Sequence, residues 1–115
     1  MEQFMLIFHG GISYEASPEQ MQENMGKWLA WVNKLAAAEK YVSGEPLLPG
    51  GKLIKGNSKN VVDGPYTEGK EIVGGYFVVK AADYNEVIAM CEDYPDYEAG
   101  GSIQVRQIMK MDMPS

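Results

Sequence analysis

The fold is decided by the stretch Asp63-Gly64-Pro65-Tyr66-Thr67-Glu68-Gly69-Lys70-Glu71, which leads directly into Ile72-Val73-Gly74-Gly75-Tyr76-Phe77-Val78-Val79. Asp-Gly-Pro favours a turn, because each of these residues suits a backbone conformation that a turn requires. The apolar run that follows is rich in β-branched and aromatic residues and predicts the longest strand of the chain, over 72–80. Its double glycine lets other groups approach the backbone closely. The charged loop beside this strand is therefore the first candidate for a functional site.

Length, charge and cysteine content limit the class of protein. The 115 residues predict a single domain over 1–115. Sixteen acidic residues outnumber ten basic ones, for a net charge of −6. This balance argues against nucleic acid or an anionic membrane as a partner, because both require a basic surface. The single Cys91 excludes an internal disulfide, and no apolar run approaches the roughly 18 residues of a membrane span. A first strand in place of a signal peptide predicts a cytoplasmic location.

Two helices are predicted from capping signals and apolar spacing. Ser17-Pro18-Glu19-Gln20 is a capping-box start, and Trp31 lies off the apolar stripe that follows it, at an expected interface or cleft wall. That stripe consists of Met21, Met25, Trp28, Leu29, Val32, Leu35 and Ala36. Asp83 can cap the second helix with Glu86 as its box partner, and Tyr94-Pro95 is expected to end it. The apolar face of this helix is predicted to be Tyr84, Val87, Ile88 and Cys91.

The remaining segments complete an α+β ferredoxin-like domain, βαββαβ with an added hairpin. Strands are predicted at 4–8 and 102–108, and 41–48 is predicted as a short strand that runs into a loop, with Pro46 at a sheet edge or at the strand's end. The hairpin pairs 52–55 with 60–63. Both helices would then cover one face of an antiparallel sheet and leave the other bare. An apolar sheet face should not remain in water, so we expect a homodimer in which a second copy covers it.

Several segments together resemble the YCII-related proteins, and more narrowly the branch named for its Asp-Gly-Pro-Phe motif. The chain has Asp63-Gly64-Pro65-Tyr66, the Thr67–Glu71 continuation, and the pair Gly74-Gly75 followed by Tyr76. Similar segments are the opening Met5–Phe8, Pro18-Glu19, Val42–Leu47 and the closing Ile103–Ile108. The resemblance implies a ferredoxin-like subunit that pairs into a dimeric α+β barrel, with a polar cleft facing the hairpin.

In the wider superfamily some members resemble small-ring lyases or dehydrohalogenases with a His-Asp pair. The histidine lies on the first helix and the aspartate just after the second. This chain departs from that pattern, because its first helix has no histidine and Tyr94 precedes Pro95, with Asp93 one step earlier. The pair is therefore not transferred to this sequence.

Three residues are candidates for proton transfer. His9 is the only histidine and the only side chain whose unperturbed pKa lies near neutrality, so it could act as a general base oriented by Asp63 or Glu68. The alternative is a surface histidine in a glycine-rich turn. Asp63 could instead form an Asx-turn. Glu71 could move a proton, or belong to an ion-pair cluster on a solvated loop.

Four further residues are candidates for ligand binding: Glu68, Lys70, Tyr76 and Arg106. Lys70 could hold a carboxylate or enolate, or pair with the neighbouring glutamates. Arg106 could clamp a ligand carboxylate or pair with Glu71 or Glu68. Tyr76 is expected in the core, with its hydroxyl at the edge of the cleft.

The sequence leaves the cofactor unknown, and a metal site could be formed only by His9 with Asp63, Glu68 and Glu71. The glycine pairs match neither phosphate-loop pattern, and no spacing of acids with His9 resembles a metal-ligand motif. Two functions remain open. One is an enzyme that transfers a proton on a small anionic organic molecule, with lyase-like or isomerase-like chemistry. The other is a non-catalytic ligand-binding or regulatory dimeric module.

Overall fold

The computed structural model of the chain describes residues 1–11, 16–48, 50–57, 60–63 and 73–111, without the side chains of residues 62 and 63. The elements are β1 (Glu2–His9), α1 (Pro18–Ala37), β2 (Tyr41–Pro46), β3 (Lys52–Lys55), β4 (Asn60–Asp63), β5 (Val73–Ala81), α2 (Tyr84–Met90) and β6 (Ser102–Gln107). Two 3₁₀ turns, Cys91–Asp93 and Tyr97–Ala99, connect α2 to β6. The mixed α+β architecture is as predicted.

The main sheet is antiparallel with strand order β2-β5-β1-β6. This is the ferredoxin-like order, in which the first strand of the chain lies between the third and fourth strands of the basic motif. β3 and β4 form a separate two-stranded sheet with Lys52 opposite Asp63. The predicted hairpin is thus confirmed as an addition to the basic fold.

Burial alternates along the central strands, because successive side chains point to opposite faces. On β1 the buried residues are Phe4, Leu6 and Phe8, and on β5 the buried side chains include Phe77 and Val79. Phe8 is the centre of an aromatic cluster in which the ring centroids of its four neighbours lie 4.9–5.8 Å away. These neighbours are Trp28, Trp31, Phe77 and Tyr94. The hydrophobic core therefore lies between the sheet and the helices.

The capping box of α1 is confirmed in both directions. Ser17 Oγ accepts a hydrogen bond from the Gln20 backbone N–H at 3.1 Å, and Gln20 Oε1 accepts one from Ser17 at 3.0 Å. Asp83 likewise caps α2 by accepting from the backbone N–H of Glu86. The predicted return bond of that second capping box, from the Asp83 backbone N–H to the Glu86 side chain, is wrong. The Glu86 carboxylate instead pairs with Lys40 Nζ at 2.7 Å.

Trp31 corrects the predicted orientation of α1. It is only 2% exposed, and its indole Nε1–H donates to the backbone carbonyl of Met90 at 3.0 Å. Met25 and Leu29, placed on the predicted apolar stripe, are instead 59% and 55% exposed. The buried face of α1 is thus centred roughly 50° around the helix from the predicted stripe, at 100° per residue. The predicted interface or cleft-wall position of Trp31 was wrong.

α2 is shorter and less apolar than predicted. It ends at Met90, before a 3₁₀ turn, and of its predicted apolar face only Val87 and Cys91 are buried. Tyr84 and Ile88 are exposed, although the Tyr84 ring packs edge-on against Phe4 and its hydroxyl accepts from the backbone N–H of β6. Neither helix of the described segments is long and apolar enough to cross a membrane.

The opposite face of the sheet has no helix over it among the described residues. Its centre is a group of four half-buried side chains, which we call the apolar quartet: Met5, Ile7, Tyr76 and Val78. Met5 lies opposite Val78, and Ile7 lies opposite Tyr76. Charged and polar residues whose side chains lie on the same side of the sheet surround the quartet. We refer to this surface as the open face.

Candidate functional site

Three of the predicted site residues lie on the open face. His9 ends β1, opposite Val73 and Ser102, and is half-buried. Tyr76 is half-buried on β5, so its expected position in the core was wrong: Phe77 next to it takes the core side. Arg106 is exposed on β6 opposite Met5. In the part of the chain that is described, Arg106 forms no ion pair, and its predicted partners Glu68 and Glu71 lie outside that part.

The other predicted residues belong to the loop after the hairpin. Asp63 ends β4, and its backbone pairs with Lys52. Glu68, Lys70 and Glu71 lie outside the described residues. His9 and Val73 nevertheless pair at one end of the sheet. The charged loop therefore joins β5 at the end of the sheet where β1 stops, and the roles predicted for these residues remain predictions.

A buried carboxylate that the sequence analysis did not select lies at the same end. Asp96 is 6% exposed and is the one buried charged side chain among the described residues. Its Oδ1 accepts a hydrogen bond from Asn24 Nδ2 of α1 at 2.5 Å. Burying a carboxylate without a donor would be costly, so Asn24 both satisfies Asp96 and sets its orientation.

The backbone just after His9 approaches Asp96 from another side. Gly11 has a φ of +103°, which side chains other than glycine rarely adopt. A Cβ atom at Gly11 would lie only 2.7 Å from Asp96 Oδ2. The end of β1 and the segment between the two 3₁₀ turns thus meet at this carboxylate, and glycine is required at residue 11 by both conformation and space.

Asp96 and Asn24 line a pocket of about 190 Å³ between α1 and the loop before β6. Its lining consists of Gln20, Glu23, Asn24, Lys27, Pro95, Asp96, Glu98 and Ala99. Gln20 precedes Glu23 and Asn24 by three and four positions, and Lys27 follows them by four and three, which puts the four residues on one flank of α1. Three carboxylates and one ammonium group face this space, and the Lys27 ammonium lies 4.0 Å from Glu23.

The core beneath the pocket keeps neighbouring groups neutral. Burial, followed by the nearby Asp96 and Tyr97, raises the pKa of Tyr94 well above its usual value. Burial also raises the pKa of Cys91 to about 11, so its thiol is the inert core group that the sequence predicted. Neither group is suited to proton transfer near neutrality. No three His, Cys, Asp or Glu side chains are arranged to hold a metal ion in the described segments.

Two signals in the sequence could have identified this pocket. Asn24 lies in phase with Trp28, Trp31 and Leu35, so a polar residue occupies the buried face of a helix. Such a residue requires a hydrogen-bond partner. The family resemblance implies an acid directly before Pro95, whereas Asp96 directly follows that proline. An acid is thus present near the expected place, and it meets Asn24 rather than a histidine of the first helix.

Comparison with known proteins identifies the family of the chain. A search of curated proteins found no match to the chain. Among solved structures, one similar to the chain is 5-chloro-2-hydroxyhydroquinone dehydrochlorinase (TftG) from Burkholderia phenoliruptrix, in complex with 2,5-dihydroxybenzoquinone. The two are 22% identical over 92% of this chain and 93% of that one, with a TM-score of 0.48. The model of the YCII-related domain matches residues 4–112, and the chain therefore belongs to the YCII-related family.

Proposed function

We propose that this protein binds a small organic molecule in the pocket between α1 and the 95–99 loop and transfers a proton on it, with Asp96 as the base. The observation that carries the proposal is the buried Asp96 carboxylate, oriented by Asn24 at the wall of a pocket. Buried, oriented carboxylates in clefts are typical proton-transfer groups.

The other lining groups suit the same chemistry. When Asp96 accepts a proton from a C–H or O–H group of the ligand, the ligand gains a negative charge. The Lys27 ammonium can offset that charge across the pocket. The protonated Asp96 then returns the proton to another atom of the ligand, which gives an isomerase-like reaction, or to a leaving group, which gives a lyase-like one.

The charge of the pocket narrows the ligand class. Three carboxylates would repel a permanently anionic ligand, because a single ammonium group does not compensate them. We therefore propose a neutral ligand, such as a phenol or a lactone, that becomes anionic only during the reaction. The anionic ligand predicted from the sequence would fit the charged loop instead, with Lys70 and Arg106 as its contacts and His9, Asp63 or Glu71 as proton-transfer groups. Glu68 and Tyr76 would line that second position.

A non-catalytic binding module is the alternative. Its support is that Asn24 satisfies Asp96 without any ligand, and Lys27 lies near Glu23. In that case the pocket would hold a metabolite for regulation without changing it. The two functions differ in turnover rather than in binding.

A thermal-shift screen tests the location of the site. Small carboxylates, phenols, lactones and divalent metal ions are added to four proteins: the wild type, Ala99→Trp, Lys70→Ala and a control. The new indole in Ala99→Trp fills the pocket. The control variant is Glu92→Gln, which lies outside both positions. A ligand at about a hundredfold excess over its dissociation constant stabilises the native state by about 2.7 kcal/mol. We expect a neutral hit that is lost in Ala99→Trp and retained in the other two variants. A hit lost only in Lys70→Ala would contradict the pocket and favour the charged loop.

A further inference from the structure

Gln20 belongs both to the start of α1 and to the lining of the pocket. It is the third residue of the helix, and its side-chain Oε1 accepts a hydrogen bond of 3.0 Å from the Ser17 backbone N–H. The same side chain lines the pocket together with Asp96. The capping box therefore fixes the orientation of a side chain that borders the proposed ligand site.

The capping bond decides which end of the Gln20 amide stays free. A backbone N–H can only donate, so the amide oxygen must face Ser17 and the NH₂ group must turn away from it. In the described part of the chain, the Gln20 Nε2 atom has no hydrogen-bond partner. Gln20 thus offers unused N–H donors at the pocket, on a side chain that the helix start already holds in place.

The free donors lie close to the proposed base. Gln20 and Asn24 are four residues apart on one flank of α1, which is about 6 Å along the helix axis. Asn24 Nδ2 in turn donates to Asp96 Oδ1 at 2.5 Å. A ligand in the pocket can therefore face Asp96 with one atom and Gln20 with another, one helical turn away.

The pocket has a second donor, Lys27, which differs from Gln20 in charge and in availability. The Lys27 ammonium lies 4.0 Å from a Glu23 carboxylate oxygen, so a charged partner is already beside it. The Gln20 amide is neutral and free, which suits the oxygen of an uncharged carbonyl or hydroxyl group. Gln20 is thus the better contact for a neutral ligand before reaction, and Lys27 for the charge that develops during it.

We propose that Gln20 selects and orients the ligand by donating a hydrogen bond of about 3 Å from Nε2 to a carbonyl or hydroxyl oxygen, while its Oε1 continues to cap α1. This inference rests on the proposed function, because it assigns a contact in the same pocket. It narrows the ligand to a neutral molecule with an acceptor oxygen towards the helix start and an acidic proton towards Asp96. When Asp96 takes that proton, the bond from Gln20 strengthens as negative charge moves onto the oxygen.

Exchanging two neighbouring residues separates the cap from the ligand contact. In the Glu19→Gln, Gln20→Glu double variant, which we call the swap variant, composition and net charge equal those of the wild type. Its new glutamate keeps an oxygen that can accept from the Ser17 N–H, as is common in capping boxes, but it has no N–H donor. Glu19→Gln alone is the matched control, because Glu19 does not line the pocket.

Phenol and γ-butyrolactone are the probes, since both are neutral and carry an oxygen that accepts a hydrogen bond. We expect the swap variant to raise the dissociation constant of a bound probe at least about tenfold, and the control to leave it unchanged. The urea midpoint of unfolding should not fall in the swap variant, because the cap is kept. In ¹H–¹⁵N NMR spectra of the wild type, the Gln20 side-chain amide resonances, assigned by their loss in the swap variant, should shift when the probe binds.

The outcomes distinguish this inference from the proposed function. A swap variant that binds as tightly as the wild type, or Gln20 amide resonances that do not move, would overturn the role of Gln20. If Ala99→Trp still abolished binding in that case, the pocket itself would stand. Binding that survives Ala99→Trp, or a wild type that binds neither probe, would overturn the pocket and this inference with it.

Discussion

Replacing Gly11 with alanine should destabilise the protein in a way that depends on Asp96. The new Cβ would lie 2.7 Å from Asp96 Oδ2, and the residue would have to keep a φ of +103°. The backbone strain alone costs about 1–3 kcal/mol. Displacing the carboxylate also weakens its hydrogen bond from Asn24, and bonds to charged groups contribute about 1.5–3 kcal/mol. We expect a total loss of about 2.5–6 kcal/mol in the free energy of unfolding.

A double-mutant cycle separates these two contributions. In an Asp96→Ala background the steric conflict is absent, so Gly11→Ala should cost only the strain, about 1–3 kcal/mol. The coupling free energy between residues 11 and 96 should therefore be about 1.5–3 kcal/mol. Gly50 is a matched control, because its φ is +86° but a Cβ there would meet nothing within 4 Å. Gly50→Ala should show only strain and no coupling to Asp96→Ala.

Urea denaturation monitored by tryptophan fluorescence gives all of these free energies. The m-value must stay constant across the variants for the comparison to hold. Independent sites are additive within about 0.5 kcal/mol. A Gly11–Asp96 coupling below that limit would refute the placement of the carboxylate against the end of β1, and with it the construction of the pocket.

Three further predictions concern the core and an ion pair. Trp31→Ala should lower the free energy of unfolding by about 3–5 kcal/mol, because Trp31 is buried. Leu29 is exposed, so Leu29→Ala should change that free energy by less than about 0.5 kcal/mol in the same urea titration. Cys91 should react with a thiol reagent at pH 8 only when urea unfolds the protein, because burial raises its pKa to about 11; rapid native-state reaction would contradict that burial. The hydrogen bond from Lys40, followed by that from the Ala82 backbone N–H, lowers the pKa of Glu86 below its ordinary value of 4.5. The ionised Glu86 therefore stabilises the folded protein above pH 4.5, and this stabilisation is lost as the pH falls through the lowered pKa. Glu86→Gln should thus be less stable than wild type at pH 7 and equal to it in strong acid, and a pH-independent difference would argue against the ion pair.

The order of elements was predictable because local signals agreed with tertiary packing. The Ser17 cap, the alternation of β6 and the glycine bend of the hairpin each depend on a few neighbouring residues. The rotation of α1 was not predictable in the same way. Its apolar residues cover more of the helix than the sheet can bury, so the packing of Trp31 against Phe8 and Tyr94 decided which of them are buried.

The pocket depends on contacts between residues far apart in the chain. Asn24 and Asp96 are 72 positions apart, and neither belongs to a motif that marks it as a pair. The prominent motif at 63–71 points to the hairpin loop, whereas Pro95 indicates only the end of the second helix and Asp96 belongs to no motif. A polar residue on the buried face of a helix is the more general indicator, because such a residue requires a partner from elsewhere in the fold.

Solvent-hydrogen exchange is the most direct test of the central claim that Asp96 transfers a proton on a bound ligand. The first neutral ligand found by the thermal-shift screen is incubated with the protein in D₂O and followed by NMR. The account predicts deuterium incorporation at a carbon of the ligand with wild type, and none with Asp96→Asn, although that variant still binds. Asparagine keeps an oxygen that can accept from Asn24, so the pocket should keep its shape. Equal exchange in the two proteins, or no exchange by a wild type that binds the ligand, would contradict the assignment of Asp96 as the base.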